Sequence, residues 1–553
     1  MATPTTPTPL KDLSTDQCIL LAVHYASSAD IPALHSFTPS RPDALSSELV
    51  LRILLTYLPE TLDPAAYRTY VSEVATRLYL DVDREDVPID TSLVSDIDAA
   101  TARKRVKKLR LCELKPVHFP PHAPSDLLTN FLCNRSQRID EATGMLNLVL
   151  ELVEPFLENN DYLRVWFVSG VLPLLRLNFK FYPSDPITEP IEELGRRDGK
   201  EGIELLLTRS LKKNGAGADA DAESSNVARD MKSLVGPWMY GHTDRKRRKL
   251  ELEKQRQNPQ QEGGADEKDD TRKADDLSEG VRKIALDGVS EKDKTGHDWE
   301  HAYYWMVHNA QENFPHITQL IEEWDGPSDV DFGGYEKGEH RPYLDDDVQR
   351  KLELQYAQAA FASCYAAQSS SKETIQGAHG VLARLAELLD FLPPPDLATS
   401  VESLPRIEQH ATSLDDSQTL QDLLPDRLLT PEHPLTTPRM ETYMLLQMHV
   451  YTAYQLDSLG YTASLVDVAR MQFYGTAESQ LAVLQKMLRG LAAPGKSDDT
   501  DWTACRNKLV WLWNWGIDPD NMAANNGAGV LGKIAKADFE AEMLKVFTET
   551  SRK

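Results

Sequence analysis

The sequence predicts an all-α protein built as an elongated, solenoid-like stack of helical hairpins with a disordered central insert. Three observations predict this. Apolar residues recur at three- and four-residue spacing in one segment after another. No run sustains two-residue alternation of β-branched or aromatic residues, so no strand ladder is expected. A chain of 553 residues also exceeds the roughly 250–300 residues at which one compact core stops growing, so several packed units or an extended stack are needed. Tetratricopeptide and ankyrin consensus residues are missing at fixed spacing, which leaves an irregular compact bundle as the rival architecture.

In chain order, residues 1–12 read as a flexible tail. MATPTTPTPL has neither a basic nor an apolar region, so no signal peptide is expected. A helix follows over 13–26, with Ser14 as N-cap, Asp16 and Gln17 in the first turn, and Ile19, Ala22, Val23 and Ala26 on one face. A second carries Leu49, Ile53, Leu54 and Tyr57 and stops before Pro59. A third starts at Asp63-Pro64, an N-cap followed by proline, and carries Tyr67, Tyr70, Val71, Val74 and Leu78. The same rhythm runs through Met145, Leu148, Val149, Leu152, Val153 and Phe156. The apolar run 165–177 then holds Arg176 and Pro173, is too short to span a bilayer, and reads as a buried helix kinked at the proline.

Residues 13–241 form the expected N-terminal helical region and 297–550 the C-terminal one, continuing the same stack. Between them, 242–296 is charged and almost without large apolar side chains, as is the spacer 214–226. Neither can bury enough surface to offset the entropy of ordering, so both are expected to be disordered. The helical pattern resumes with Trp299, Ala302, Tyr303, Met306 and Ala310 on one face, and Pro315 kinks it before Ile317, Leu320, Ile321 and Trp324. The next helix, over 344–368, is lined by Ala357, Ala359, Ala360, Ala362, Ser363, Ala366 and Ala367, small side chains that admit a close neighbour. Further helices are expected over 375–389, 440–456, 463–474, 478–491, 502–515 and 533–547.

The net charge of −26 argues against nucleic acid and anionic lipid headgroups as partners of the bulk surface, because such a surface repels both, and the partners are expected to be proteins. Five scattered cysteines without a CxxC pair fit a reducing compartment. No catalytic signature is found: GxSxG and HExxH are absent, and the histidines form no ligand-spaced cluster. No catalytic residue, cofactor or metal is therefore expected. Gly527-Ala-Gly-Val-Leu-Gly-Lys533 satisfies GxGxxG, but the residues before it read as loop and Ile534 stands where a P-loop needs a hydroxyl, so it reads as an entry into the last helix. Asp325, Asp329 and Asp331 fail the EF-hand spacing, since His340 falls at the twelfth place, and read as turn carboxylates. Of two basic runs, 103–110 reads as a solvated helix face. Arg245–Lys249 resembles an import signal, or a patch for an anionic membrane or acidic partner.

Two runs stand apart, Leu234-Val-Gly-Pro-Trp-Met-Tyr-Gly241 and Trp324-Asp-Gly-Pro-Ser-Asp-Val-Asp-Phe-Gly-Gly-Tyr335. Each sets large rings beside Gly and Pro, which asks for a fixed backbone corner with a buried ring against it. Trp238, Tyr240, Trp324, Gly326, Pro327 and Tyr335 are accordingly expected as structural anchors. Near the end, Trp511 and Trp515 share a helix face and read as core, whereas Trp513 points elsewhere and is the candidate interface anchor.

These two runs, together with 354–365 (LQYAQAAFASCY), the opening pair 19–27 and 51–61, and 511–516 (WLWNWG), resemble the secretory-pathway Sec39 family, which is related to the neuroblastoma-amplified-sequence protein. The resemblance spans most of the chain outside the insert. It implies a non-enzymatic, elongated helical subunit of a Dsl-type tethering complex on the cytosolic face of the endoplasmic reticulum. It further implies binding to another tether subunit and to ER SNARE proteins, an indirect link to coatomer vesicles in Golgi-to-ER retrograde transport, and membrane association through those partners. The alternative is a helical-repeat transport or nuclear-import adaptor, prompted by Arg245–Lys249.

Overall fold

The computed structural model describes residues 9–79, 89–115, 126–211, 226–240, 298–335, 346–406, 423–492, 501–517 and 527–550. The expected insert 242–296, its basic run Arg245–Lys249, and most of the spacer 214–226 and of the tail lie outside them. Among the described residues every regular element is helical. Two compact units result, one from Met1–Asp198, Pro237–Thr295 and Phe332–Arg341, the other from Gly199–Gly236, Gly296–Asp331 and Pro342–Lys553.

The first unit opens with α1 (Thr15–Ser27), begun by a capping box in which Ser14 Oγ accepts from the Gln17 amide while the Gln17 side chain accepts from Ser14 N–H. Two further acceptors, the Val94 and Ile97 carbonyls, take the Gln17 amide group, so one cap residue also holds the following segment in place. Helix α2 (Ile31–Ser40) and α3 (Ser47–Tyr57) pack on α1, and α4 (Arg68–Thr76) packs on α3. The expected single helix from Asp63-Pro64 is in fact two pieces. Asp63 caps a short 3-10 turn, Pro64–Ala66, and the chain breaks at Tyr67 before α4 begins.

Helices α5 (Ser92–Ser95) and α6 (Ala99–Val106) return to α1. Helix α7 (Leu127–Thr143) joins α3 and α4, and there Arg135, fully buried, donates to the Leu58 and Pro59 carbonyls that α3 leaves open at its C-terminus. After α8 (Leu146–Leu157) and α9 (Asp161–Trp166) the backbone widens into a π turn at Phe167–Val171, then α10 (Leu172–Leu175) and a second π turn at Arg176–Phe181. Pro173 has no N–H to give, and the π turn before it absorbs the mismatch: Leu172 N–H reaches back to Phe167 O. A short α11 (Ile191–Leu194) closes this stretch.

In the second unit α12 (Gly199–Leu207) and α13 (Asn226–Asp230), with its π turn Met231–Val235, pack on α14 (Asp298–Glu323). Trp299, Ala302, Tyr303, Met306 and Ala310 are all buried on α14, and the expected kink is present at Asn313 (φ −121°, ψ 38°), two residues before Pro315. Helix α15 (Asp346–Ala366) packs extensively on α14, and its small residues Ala359, Ala360, Ala362 and Ser363 are wholly buried. Helices α16 (Lys372–Leu389), α17 (Pro425–Leu428), α18 (Met440–Ser458), α19 (Leu465–Phe473), α20 (Ala477–Leu491), α21 (Trp502–Asn514) and α22 (Lys536–Thr550) complete the unit. The most extensive packing is between the chain neighbours α14 and α15, and helices one or more places apart also meet, α14 with α16, α16 with α18, and α1 with α3 and α6. No described helix is long and apolar enough to cross a membrane.

Candidate functional site

The aromatic rings of the two runs are buried or half-buried. In the first unit Trp238 is buried and its indole N–H donates to the Leu194 carbonyl (3.2 Å), while the half-buried Tyr240 meets Phe332 edge to face at 5.1 Å. Tyr335 is also half-buried. Its ring packs on Phe167 at 4.9 Å, and burial together with the neighbouring Glu154 carboxylate raises the pKa of its hydroxyl.

In the second unit Trp324 is fully buried. It stacks on Trp299 at 5.8 Å, takes the edge of Tyr356 at 4.9 Å, and donates its indole N–H to the Asp329 carbonyl (3.2 Å). The turn is closed by Gly326 at φ +94°, where a Cβ would stand 3.1 Å from the Tyr356 ring, and by the buried Pro327. Its carboxylates are all engaged. Asp325 pairs with Arg384, Asp329 pairs with Lys232 (2.7 Å) and accepts from the Asp325 amide, and Asp331 accepts from Ser233 Oγ (3.1 Å). They serve the turn, as the spacing predicts, and among the described residues no cluster of potential metal ligands is found.

The Gly527–Lys533 loop also spends its polar groups internally. Gly529 N–H donates to Trp513 O and Leu531 N–H to Leu512 O, so the loop lies flat on the end of α21. A Cβ at Gly527, Gly529 or Gly532 would overlap backbone carbonyl oxygens, which explains the glycine spacing by close approach. Lys533 Nζ donates to the Phe473 and Gly475 carbonyls at 2.8 Å each, ending α19 rather than facing a phosphate.

Trp513 corrects the expectation of an interface anchor. It is only 4% exposed, donates to the Ile534 carbonyl (2.9 Å), and stacks on Phe539 of α22 at 5.8 Å. The helix-face argument fails for Trp515 as well, since this residue lies past the end of α21 in left-handed backbone (φ 48°). It is nevertheless buried, and donates to Thr452 Oγ1 at 3.0 Å. A buried polar triad escapes sequence reading altogether. His449 of α18 is bonded through Nδ1 to the Tyr365 hydroxyl (2.8 Å) and through Nε2 to Gln472 Oε1 (2.6 Å), and burial pushes its pKa down from the ordinary 6.5 to about 4.

The model of the family described as Secretory pathway protein Sec39 matches residues 19–552, nearly the whole chain. The chain belongs to the Sec39 family. No curated protein matches it. Membership gives the chain a secretory-pathway role. In this Sec39-family protein the runs that carry the resemblance lie largely in the interior. Ile19, Leu21, Ala22, Tyr25 and Ala26 are buried on α1, Tyr356, Ala357 and Ala359–Ala366 on α15, and Trp511–Trp515 at the end of α21. Buried side chains of this kind dictate how helices meet.

Proposed function

We propose that this chain is a non-enzymatic scaffold subunit of a vesicle-tethering complex at the endoplasmic reticulum. It binds another tether subunit and ER SNARE proteins in Golgi-to-ER retrograde transport, and those partners hold it at the membrane and link it indirectly to coatomer vesicles. The observation that carries this reading is the family match over residues 19–552. The architecture supports it: stacked helices offer long faces and grooves to helical partners, and the residues most suggestive of chemistry, Lys533 and the Asp325–Asp331 turn, are committed to backbone and ion-pair contacts.

Affinity purification of the intact protein from cells, read by mass spectrometry, is expected to recover a tether subunit together with ER SNAREs. Recovery of neither overturns the reading. Imaging is expected to give an ER pattern. A nuclear-rim signal that vanishes when Arg245–Lys249 are changed to alanine would instead make the chain an import adaptor.

A further inference from the structure

Six of the eight residues from Arg103 to Arg110 are basic: Arg103, Lys104, Arg105, Lys107, Lys108 and Arg110. They straddle the last turn of α6 and the turn that follows it, and all six are exposed. The protein as a whole carries 86 acidic against 60 basic residues, so an exposed cation has abundant opportunity to pair. None of these six side chains forms an ion pair or a hydrogen bond in the described structure. Cations in the last turn of a helix do complement its dipole. That accounts for Arg103, Lys104 and Arg105, but not for the three that follow the helix.

The backbone beneath the run is fixed on both flanks. On one side α6 packs on α1, and Asp98 caps it by accepting from the Thr101 amide (3.1 Å). On the other side Arg52 of α3 donates to the Cys112 carbonyl (3.1 Å), the Cys112 amide donates to Thr56 Oγ1 (2.9 Å), and Asn134 of α7 donates to the Lys115 carbonyl (2.9 Å). The charges therefore project from an anchored strap. Much of the entropy a free basic tail would lose on docking is already spent in folding.

We propose that the Arg103–Arg110 strap is an electrostatic docking site for an anionic phospholipid surface, a direct contact in addition to the partner-borne attachment proposed above. The form of the patch selects this occupant. A site for a single carboxylate or phosphate is built from guanidinium forks held in place by hydrogen bonds. Here no cation is so held and half are lysines, strongly hydrated point charges on flexible stems. A bilayer asks only that several cations come near its surface, each contributing about a fivefold gain in partitioning. Repulsion from acidic groups farther from the strap than about 8 Å is screened at physiological salt, and the acidic residues that flank it in sequence, Asp96, Asp98 and Glu113, are outnumbered by its six cations.

The test uses the purified full-length chain without partners, floated with vesicles of phosphatidylcholine alone or mixed with phosphatidylserine. Binding is expected only to the mixed vesicles and is expected to vanish in high salt. A variant carrying Arg103→Gln, Lys104→Gln, Arg105→Gln, Lys107→Gln, Lys108→Gln and Arg110→Gln is expected to bind at least about tenfold more weakly. A variant that exchanges Arg and Lys at the same six positions retains binding, and so does one with Arg245–Lys249 changed to glutamine. The six residues are exposed and make no hydrogen bond or ion pair in the described structure, so melting curves of the glutamine variant should match the parent; if they do not, the salt response and the exchange variant decide. Equal vesicle binding by parent and glutamine variant, or no binding by the parent, overturns the proposal. Capture by polyglutamate without vesicle binding would assign the strap to an acidic protein partner instead. Because no partner is present, failure here leaves the tether reading intact, and failure of the purification experiment leaves the lipid contact intact.

Discussion

Tyr356 clamps Trp324 twice, setting its ring edge against the indole face at 4.9 Å and donating its hydroxyl hydrogen to the Trp324 backbone carbonyl at 2.7 Å. The clamp fixes where α14 ends and the Gly326 turn begins. Both rings are buried, and burial drives the pKa of the Tyr356 hydroxyl far above its ordinary value, so it acts as a permanent donor.

Truncating Trp324 to alanine should cost about 3–5 kcal/mol, since it removes a ring packed between Trp299 and Tyr356 and leaves a cavity. Tyr356→Phe keeps the ring and loses only the hydrogen bond, so about 1 kcal/mol is expected, rising toward 3 if the carbonyl is left unsatisfied. Chemical denaturation monitored by tryptophan fluorescence checks both. An unchanged midpoint for Trp324→Ala would show that the ring does not hold the turn.

The same logic applies to the loop that mimics a phosphate cradle. Gly529→Ala puts a methyl group onto the Leu512 carbonyl oxygen, so the loop must lift from the end of α21, at a cost of about 1–3 kcal/mol or more. Lys533→Met removes the donor from the Phe473 and Gly475 carbonyls, and about 1–3 kcal/mol is expected. Calorimetry with nucleoside triphosphates should give no binding heat for the parent protein. A nucleotide-dependent rise in melting temperature that Lys533→Met abolishes would reverse this assignment.

Elements were legible in the sequence where the chain signals locally. The Ser14–Gln17 capping box, the buried face from Trp299 to Ala310 and the small-residue stripe of α15 all follow from spacing alone. Helix α7 was illegible because its buried positions include Asn130, Asn134, Arg135 and Ser136, which break the apolar period; Arg135 and Asn134 owe their burial to the carbonyls of Leu58, Pro59 and Lys115, which are distant in sequence. Helix α2 begins and ends with proline, at Pro32 and Pro39. The first is favourable once Asp30 caps the Ala33 amide (3.0 Å), but together they read as breakers. Trp513 was misjudged for a third reason: its burial depends on Phe539 of α22 folding back onto it, a contact that helix periodicity cannot report.

The Tyr365–His449–Gln472 triad gives the second unit a pH dependence of definite sign. Gln472 Oε1 can only accept, so Nε2 of His449 carries the proton, Nδ1 accepts from Tyr365, and the ring is neutral when folded. The unfolded chain takes up a proton near pH 6.5, the folded one only near 4. Between those values the unfolded state binds more protons, so stability is full above about 6.5, falls as the pH drops, and loses no more from this group below about 4. The whole loss is about 3 kcal/mol, because each pKa unit corresponds to about 1.4 kcal/mol. Denaturation of the parent and of His449→Gln across this range isolates the contribution from that of the carboxylates, which titrate in both. The variant is expected to be less stable near neutrality, where it loses the fitted ring, and the gap should narrow steadily as the pH falls. Parallel curves would mean that His449 accepts its proton in the folded state as easily as in the unfolded one, and that the triad is not sealed from water.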